Sequence, residues 1–248
     1  MNNKILKKFC GMLGYRLVDK NFFKNNRLIS AYSMLNMKNI LSKLFIENRI
    51  RNIVQIGAND GVRFDDLNEF INKYKIESLL VEPVKDNFQK LQKKYNNVQF
   101  VTLENSAIFT SNKDLILYKV DEKFLHYYGV HIPGITSLDK SHLLKHGVKL
   151  KHIVNESVNS ITINELFNKH NIKNLDLLYI DAEGYDGNLV LDFLLHSILK
   201  PIIIFEYIHI QNEIFNKVIS KLNNSYKIFS LNENVICIPK NKNISISL

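Results

Sequence analysis

Residues 54–61 form an apolar segment that runs directly into a glycine-containing turn, Val-Gln-Ile-Gly-Ala-Asn-Asp-Gly. The two glycines, Gly57 and Gly61, allow positive φ angles and let a ligand approach the backbone closely. A helix expected after the turn would present free N–H groups at its N-terminus to a polar ligand. The turn therefore predicts a ligand-binding loop. Its G-x-x-x-G spacing lacks the third glycine of the motif G-x-G-x-x-G, which counts against a dinucleotide.

The next predicted strand, residues 78–82, ends in the carboxylate of Glu82. In nucleotide-binding α/β folds, an acid at the tip of the second strand accepts hydrogen bonds from a ribose diol. Asn105, Ser106 and Ala107 follow the third predicted strand, where the adenine of a bound nucleoside would lie. Together with the glycine turn one βαβ unit earlier, these residues predict a nucleoside-binding site.

Acidic residues follow the ends of the fourth and fifth predicted strands. Asp181 and Glu183 come after the fourth strand, Glu206 ends the fifth, and His209 follows at the next turn. In one hypothesis Asp181, Glu183 and Glu206 hold a divalent cation such as Mg²⁺, which prefers oxygen ligands. In the other, Asp181 or His209 is a general base that accepts a hydroxyl proton, and Glu183 only braces the loop. We favour the metal-free hypothesis, because a sequence does not show whether three side chains converge.

Residues 104–175, between the third and fourth core strands, form a long segment with glycine and proline at positions 129, 133 and 134. Long connections are disproportionately functional, so we interpret the segment as a loop-rich insertion that forms the acceptor pocket or a lid. Its candidate functional side chains are His126, Tyr127, Tyr128, His131, Ser137, His142 and His146. Of these, His126 and His131 are the candidate catalytic residues.

The elements that position these side chains alternate between strand and helix. Apolar segments of strand length, separated by amphipathic helical stretches, lie at 52–56, 78–82, 98–103, 176–180 and 202–207. This alternation predicts βαβ units and a mostly parallel sheet. Residues 226–231 and 235–239 are joined too closely for a helical crossover, which predicts an antiparallel hairpin. A parallel sheet with such an ending is the arrangement of the common methyltransferase fold.

The first 50 residues have helical apolar spacing and predict a helical N-terminal extension, followed by one α/β domain over 51–248. The formal net charge is +9, and much of the excess lies in this extension, at Lys4, Lys7, Lys8, Arg16, Lys20, Lys24 and Arg27. This charge suits anionic partners, including nucleic acid, nucleotide-linked substrates and a membrane surface, although a solvated, basic helical lead-in is the simpler interpretation of the N-terminal charge. No apolar run approaches the ~18 residues of a membrane span. Cys10 and Cys237 form no CxxC pair. We therefore expect a cytoplasmic protein, with peripheral contact to the inner membrane face as a further hypothesis.

Three motifs in the same order resemble the FkbM family of S-adenosylmethionine-dependent methyltransferases. They are the turn G-A-N-D-G, the run L-V-E-P ending at Pro83, and the segment Y-I-D-A-E-G-Y over 179–185. Residues 159–166, N-S-I-T-I-N-E-L, are similar to the segment that precedes the third motif in that family. The resemblance covers about residues 50–207 and implies a Rossmann-like class I methyltransferase sheet. The chain departs from the family pattern at Asp186, where many members have Glu, and at Tyr179, where many have Lys.

The resemblance implies a site for S-adenosylmethionine. Its methionine end would lie against Gly57, Ala58, Asn59 and Gly61, its ribose against Glu82 and Pro83, and its adenine against Ser106 and Ala107. Asp181 would lie at the tip of the fourth strand, where open α/β sheets bind ligands. The expected activity is O-methylation of a sugar hydroxyl, on a surface glycan or on its nucleotide- or lipid-linked precursor.

Alternative acceptors are RNA ribose and a non-sugar small molecule, and the non-enzymatic alternative is a module that only binds a nucleoside. Residues 181–185, Asp-Ala-Glu-Gly-Tyr, lack the prolines typical of base amino-methyltransferases and carry two carboxylates that would repel phosphates. Neither cysteine is placed to serve as the nucleophile of a pyrimidine carbon-methyltransferase. The sequence therefore counts against a nucleic-acid partner.

Overall fold

The computed structural model describes residues 36–48, 50–62, 65–129 and 132–242 of the 248-residue chain. Its α-helices are α1 (Met37–Asn48), α2 (Asn68–Tyr74), α3 (Lys85–Lys94), α4 (Lys140–Lys145), α5 (Ile163–Lys169), α6 (Asp186–His196) and α7 (Asn212–Leu222). Its strands are β1 (Asn52–Ile56), β2 (Glu77–Val81), β3 (Val101–Glu104), β4 (Ala107–Ile108), β5 (Asp114–Val120), β6 (Ile153–Ile161), β7 (Leu177–Ile180), β8 (Ile202–Glu206), β9 (Tyr226–Leu231) and β10 (Asn234–Pro239). None of the helices in these ranges is long and apolar enough to cross a membrane.

Seven strands form the central sheet in the order β3-β2-β1-β7-β8-β10-β9. In this sheet β3, β2, β1, β7 and β8 are parallel to their neighbours, whereas β10 runs antiparallel to both β8 and β9. The β9–β10 hairpin turns at Asn232, whose φ of 53° lies in the left-handed region. The prediction of a mostly parallel Rossmann-like sheet with an antiparallel C-terminal hairpin is confirmed.

Helices cover both faces of this sheet. Because successive strand residues point to opposite faces, Val54 and Ile56 pack in the cluster that includes α5, α6 and α7, while Ile53 packs in the cluster that includes α1, α2 and α3. Leu41 and Leu44 of α1 are almost fully buried in the second cluster. The described part of the predicted N-terminal extension therefore shares its core with the sheet, while the seven basic residues named in the sequence analysis lie outside the described residues.

The segment between β3 and β7 folds into a sheet of its own. β6 lies in the middle of this three-stranded sheet, antiparallel to β5 and parallel to β4. The expectation of a loop-rich insertion is wrong over β5 and β6. Leu115 and Leu117 are buried and alternate with exposed Asp114 and Ile116 in β5, which is the period of a half-buried strand.

Candidate functional site

A cleft of about 570 Å³ opens at the carboxyl ends of β1, β2, β7 and β8. This volume is within the ~300–1,000 Å³ typical of small-molecule sites. One end of the cleft is lined by the glycine turn, Glu82 and the small sheet, and the other end is rich in carboxylates and imidazoles. Open α/β sheets bind ligands at this edge, where the turns after parallel strands meet.

The glycine turn fixes the floor of the cleft. Gly57 has φ +84°, and a Cβ built there would lie 1.9 Å from the carbonyl oxygen of Asp181, so only glycine fits between β1 and the residue after β7. The N–H groups of Gly57 and Ala58 both donate to the carbonyl of Val81, at 2.9 and 3.0 Å. Asn59 follows with φ 50° and lines the cleft. The turn is thus held against both neighbouring strands.

Glu82 is buried directly below this turn. Its two carboxylate oxygens accept hydrogen bonds from the backbone N–H groups of Asn59 and Val84, both at 2.9 Å. Burial raises the pKa of Glu82 to about 7, although these two N–H groups lower it in part. The Asn87 side chain is a further donor to this carboxylate, whose four lone-pair positions still leave room for a hydrogen bond from a ligand hydroxyl.

Pro83, Ser106 and Ala107 also line this end of the cleft, as predicted from the sequence. The Ser106 hydroxyl donates to Glu104 at 2.6 Å, and Lys169 and His170 contact the same carboxylate at 2.8 Å. Leu115 and Leu117 of β5 add apolar surface here. This combination of an apolar wall and fixed polar groups suits a flat heterocycle.

Two of the predicted cofactor residues do not line the cleft. Ala58 is buried in the core below the turn. Gly61 has φ +70° and faces α3, where a Cβ would lie 2.6 Å from a methyl carbon of Leu91. Gly61 therefore allows the turn to pack against α3. The predicted ligand contacts of Ala58 and Gly61 are wrong, and both residues have a structural role instead.

Asp181, Glu183 and Glu206 line the carboxylate-rich end of the cleft, where Asp181 lies directly beside Gly57. Burial raises the pKa of Asp181 well above its usual range, and the carboxylates of Asp186, Glu183 and Glu206 raise it further. Burial, together with Glu183 and Asp186, raises the pKa of Glu206 to about 8. This end of the cleft therefore concentrates negative charge that only cations or bound protons can offset.

The loop that carries Asp181 and Glu183 is fixed by Asp186, to which the sequence assigned no role. Asp186 is fully buried at the start of α6 and accepts hydrogen bonds from the N–H groups of Ala182 and Gly184, at 3.2 and 3.1 Å. Glu183 and Gly184 have φ 48° and 98°, so the backbone turns sharply here. This turn brings Gly184 against His209.

His209 lines the cleft as predicted, and two histidines of the insertion join it. His142 and His146 lie four residues apart at the end of α4, and their rings lie 4.5 and 5.5 Å from the His209 ring, between centroids. Burial and the neighbouring His142 and His146 lower the pKa of His209. The structure therefore brings His142 and His146 to the site.

Of the two histidines that the sequence favoured as catalysts, the structure tests only His126. His126 is exposed, stacks against Tyr127 and does not line the cleft. His131 lies outside the described residues. The i, i+4 spacing of His142 and His146 is a sequence signal that could have identified them as site residues, because it places both rings on one face of a helix.

Asp66 and Tyr179, neither of which the sequence assigned to the site, also line the cleft. The Tyr179 hydroxyl donates to the Asp66 carboxylate at 3.2 Å. Tyr179 projects from β7 on the face opposite to Ile180 and packs in the cluster that includes α1, α2 and α3. Burial raises the pKa of Asp66, and a cationic group bound beside it would favour the ionised carboxylate.

Most of the chain that forms the cleft matches a known protein family. A family model described as the methyltransferase FkbM domain matches residues 55–228, which include every cleft residue from Ile56 to His209. No curated protein matches the chain.

Several solved structures are similar at low identity. A methyltransferase FkbM from Methylobacillus flagellatus KT is 14% identical over 75% of this chain, with a TM-score of 0.46, and this chain spans 43% of its length. A putative caffeoyl-CoA O-methyltransferase from Staphylococcus aureus is 13% identical, with 96% and 92% of the two chains covered and a TM-score of 0.44. A fibrillarin pre-rRNA processing protein from Methanococcus jannaschii is 12% identical, with 78% and 68% covered and a TM-score of 0.40.

Proposed function

The chain belongs to the FkbM family of S-adenosylmethionine-dependent methyltransferases, and on that premise we propose that it transfers a methyl group to a hydroxyl oxygen of its acceptor. The observation that carries this proposal is the single cleft that joins the Gly57 and Glu82 end to the Asp181 end. A nucleoside bound at the first end would direct its other end toward a carboxylate at the second.

The first end suits the methyl donor. Glu82 would accept hydrogen bonds from the ribose hydroxyls, and Ser106 and Ala107 would border the adenine beside the apolar wall of β5. Gly57 and Asn59 would lie along the methionine chain, with Asp66 near its amino group. These assignments use residues that the described cleft already brings together.

At the second end, Asp181 is the proposed general base. S-adenosylmethionine supplies a methyl carbon bound to a positively charged sulfonium. The acceptor oxygen forms a bond to that carbon as the C–S bond breaks, and the electron pair of the broken bond stays on sulfur. The hydroxyl proton passes to the Asp181 carboxylate, so that the products are a methyl ether and S-adenosylhomocysteine.

The proposed acceptor is a sugar hydroxyl on a nucleotide- or lipid-linked glycan precursor. Glu183, Glu206, Glu233 and Asn234 line the same cleft as Asp181 and offer groups that can hydrogen-bond several hydroxyls at once. The net charge of +9 favours substrates that carry phosphate, through long-range attraction. Contact of the basic N-terminal residues with a membrane surface would bring the protein to lipid-linked substrates.

We expect methyl label to transfer from S-adenosylmethionine to a sugar fraction. The experiment incubates the protein with methyl-labelled donor and with separate pools of nucleotide sugars, glycolipid, RNA and protein, and then counts each fraction. Acid hydrolysis of a labelled sugar should return a methyl ether, because the proposed bond joins the methyl group to oxygen. Label found in RNA or protein alone would refute the sugar acceptor and leave the family assignment standing.

Binding of S-adenosylmethionine is expected to tighten by about 10-fold between pH 6 and pH 8. With a pKa of about 7, Glu82 is mostly protonated at pH 6 and mostly ionised at pH 8. Because the ionised form accepts hydrogen bonds from both ribose hydroxyls, binding at pH 6 must first remove a proton. Calorimetric titration at several pH values measures this slope.

Glu82→Gln should weaken binding at pH 8 by about 1–3 kcal/mol and abolish the pH slope, because the amide keeps the shape but not the charge. Glu77→Gln is the matched control, since Glu77 is exposed at the start of the same strand. A Glu82→Gln variant that retains the wild-type slope would show that another group titrates with binding.

A further inference from the structure

Five side chains from three separate segments converge at the carboxylate-rich end of the cleft. His142 and His146 come from α4 and its C-terminal cap, Glu183 from the turn after β7, and Glu206 and His209 from the end of β8 and the turn that follows. We refer to these five residues as the His/Glu cluster. Its potential ligand atoms form two sets, each within 4.8 Å: His142, His146 and His209 in one, and Glu183, Glu206 and His209 in the other.

One nitrogen in the His/Glu cluster lacks a hydrogen-bond partner. The Nε2 atom of His142 is buried and makes no hydrogen bond, although it lies 3.4 Å from a carboxylate oxygen of Glu183. Only 11% of the His142 side chain is exposed, so water does not readily replace the missing partner. Buried polar atoms in native proteins are nearly always satisfied, and an atom left unsatisfied calls for a ligand or an ion.

The spacing of the donor atoms suits a bound ion. Two ligands of one tetrahedral ion, with bonds of ~2.0–2.1 Å, lie about 3.4 Å apart. The His142–Glu183 separation is 3.4 Å, and the His209–Glu206 separation is 4.0 Å. Because the donor atoms of each set lie within 4.8 Å of one another, rotation of the side chains about their χ angles would let them approach a shared centre.

We propose that the His/Glu cluster binds one divalent transition-metal ion of the Zn²⁺, Co²⁺ or Mn²⁺ class. Three imidazoles and two carboxylates form a mixed nitrogen and oxygen set, which suits these ions, whereas Mg²⁺ prefers oxygen ligands alone. The metal hypothesis from the sequence therefore changes in two respects. Among the described residues, Asp181 belongs to neither set of converging ligand atoms, and histidine replaces it.

The ion would lie beside the acceptor. His146, Glu183, Glu206 and His209 line the same cleft as Asp181. If the proposed function holds, a metal-bound acceptor hydroxyl would have a lowered pKa and would lose its proton to Asp181 more readily. The ion would also connect α4 of the insertion to the turns after β7 and β8, so its binding should stabilise the folded state.

The test uses the full chain, purified without a polyhistidine tag and treated with chelator. Co²⁺ is titrated while its visible d–d absorption is recorded, and Zn²⁺ binding is measured by calorimetry. We expect one equivalent of each ion to bind, Zn²⁺ to displace Co²⁺, and millimolar Mg²⁺ to displace neither. Bound Zn²⁺ should also raise the melting temperature. Absence of Co²⁺ bands and of Zn²⁺ binding heat at millimolar metal would overturn the proposal.

His142→Ala and Glu183→Gln should each weaken Zn²⁺ binding by at least about 100-fold, because losing a direct ligand costs more than losing an outer hydrogen-bond partner. His196→Ala is the matched control, since His196 is half-exposed on α6 and pairs with Asp192 outside the cleft. S-adenosylmethionine binding at the distant Glu82 end reports whether each variant is folded. Unchanged Zn²⁺ affinity in a double His142→Ala, Glu183→Gln variant would contradict the proposed ligands.

Metal binding and methyl transfer are separable in these experiments. If the chain binds Zn²⁺ but no labelled acceptor is found, the proposed function fails and the metal site stands. If labelled methyl ether forms at the same rate in chelator and no Zn²⁺ binds, the metal site fails and the proposed function stands.

Discussion

Gly57→Ala is expected to destabilise the protein by at least about 3 kcal/mol, as severe single substitutions do, and to abolish binding of S-adenosylmethionine. The added Cβ would lie 1.9 Å from the carbonyl oxygen of Asp181, and φ +84° is itself unfavourable for alanine. No side-chain rotation can relieve the overlap, because the backbone of residue 57 fixes the position of the Cβ and the contacting oxygen belongs to the backbone of Asp181. Asp181 is moreover tied to β1 by its N–H, which donates to Ile56 at 2.9 Å.

Urea denaturation followed by circular dichroism measures the loss of stability, and calorimetry measures donor binding. Gly147→Ala provides the matched control, because Gly147 has φ +82° but nothing lies within 4 Å of the added Cβ. It should cost only about 1 kcal/mol, the cost of the left-handed backbone alone. Equal losses for the two variants would mean that the close approach of β1 and the residue after β7 contributes nothing.

Asp181→Asn is expected to lower kcat for methyl transfer by about 10²–10⁴-fold, the usual contribution of a general base. The amide has nearly the same size as the carboxylate but does not accept the hydroxyl proton. If the Asp181 carboxylate acts only on the acceptor hydroxyl, the affinity for S-adenosylmethionine should change little, although Asp181 lies beside Gly57. Single-turnover assays with labelled donor measure the rate, and calorimetry measures the affinity.

Asp114→Asn is the control for this substitution, since Asp114 is an exposed residue at the start of β5, outside the cleft. A kcat for Asp181→Asn within about threefold of the wild type would exclude proton transfer to this carboxylate as a major contribution. A proportional loss of donor affinity and rate would instead assign Asp181 to cofactor binding.

The sequence predicted the central sheet well, because its signals are local. Each core strand is a short apolar run bounded by polar residues, and the spacing between runs leaves room for a helix. The β9–β10 hairpin followed from a connection too short for any crossover. The small sheet of β5 and β6 was missed although β5 alternates buried and exposed residues as a half-buried strand does, because the glycine and proline at 129–134 suggested loops for the whole segment.

Within the site, Gly57, Asn59, Glu82, Ser106 and Asp181 could be predicted, because each stands at a fixed offset from the end of a core strand. Ala58 and Gly61 belong to the same motif but serve packing, which depends on the direction in which each residue faces after the turn. His126 was chosen from its position in the insertion alone, and the structure places it on the exposed side.

The amino-acid sequence by itself therefore determined where the core strands lie along the chain, the glycine turn and the acid at the tip of the second strand, since these depend on local patterns within one βαβ unit. Only the tertiary structure decided that His142 and His146 meet Glu183 and His209. These residues are far apart in the chain, and their meeting depends on how the insertion packs against the turns after β7 and β8. That packing is a sum of long-range contacts, and no local period or spacing in the sequence encodes it.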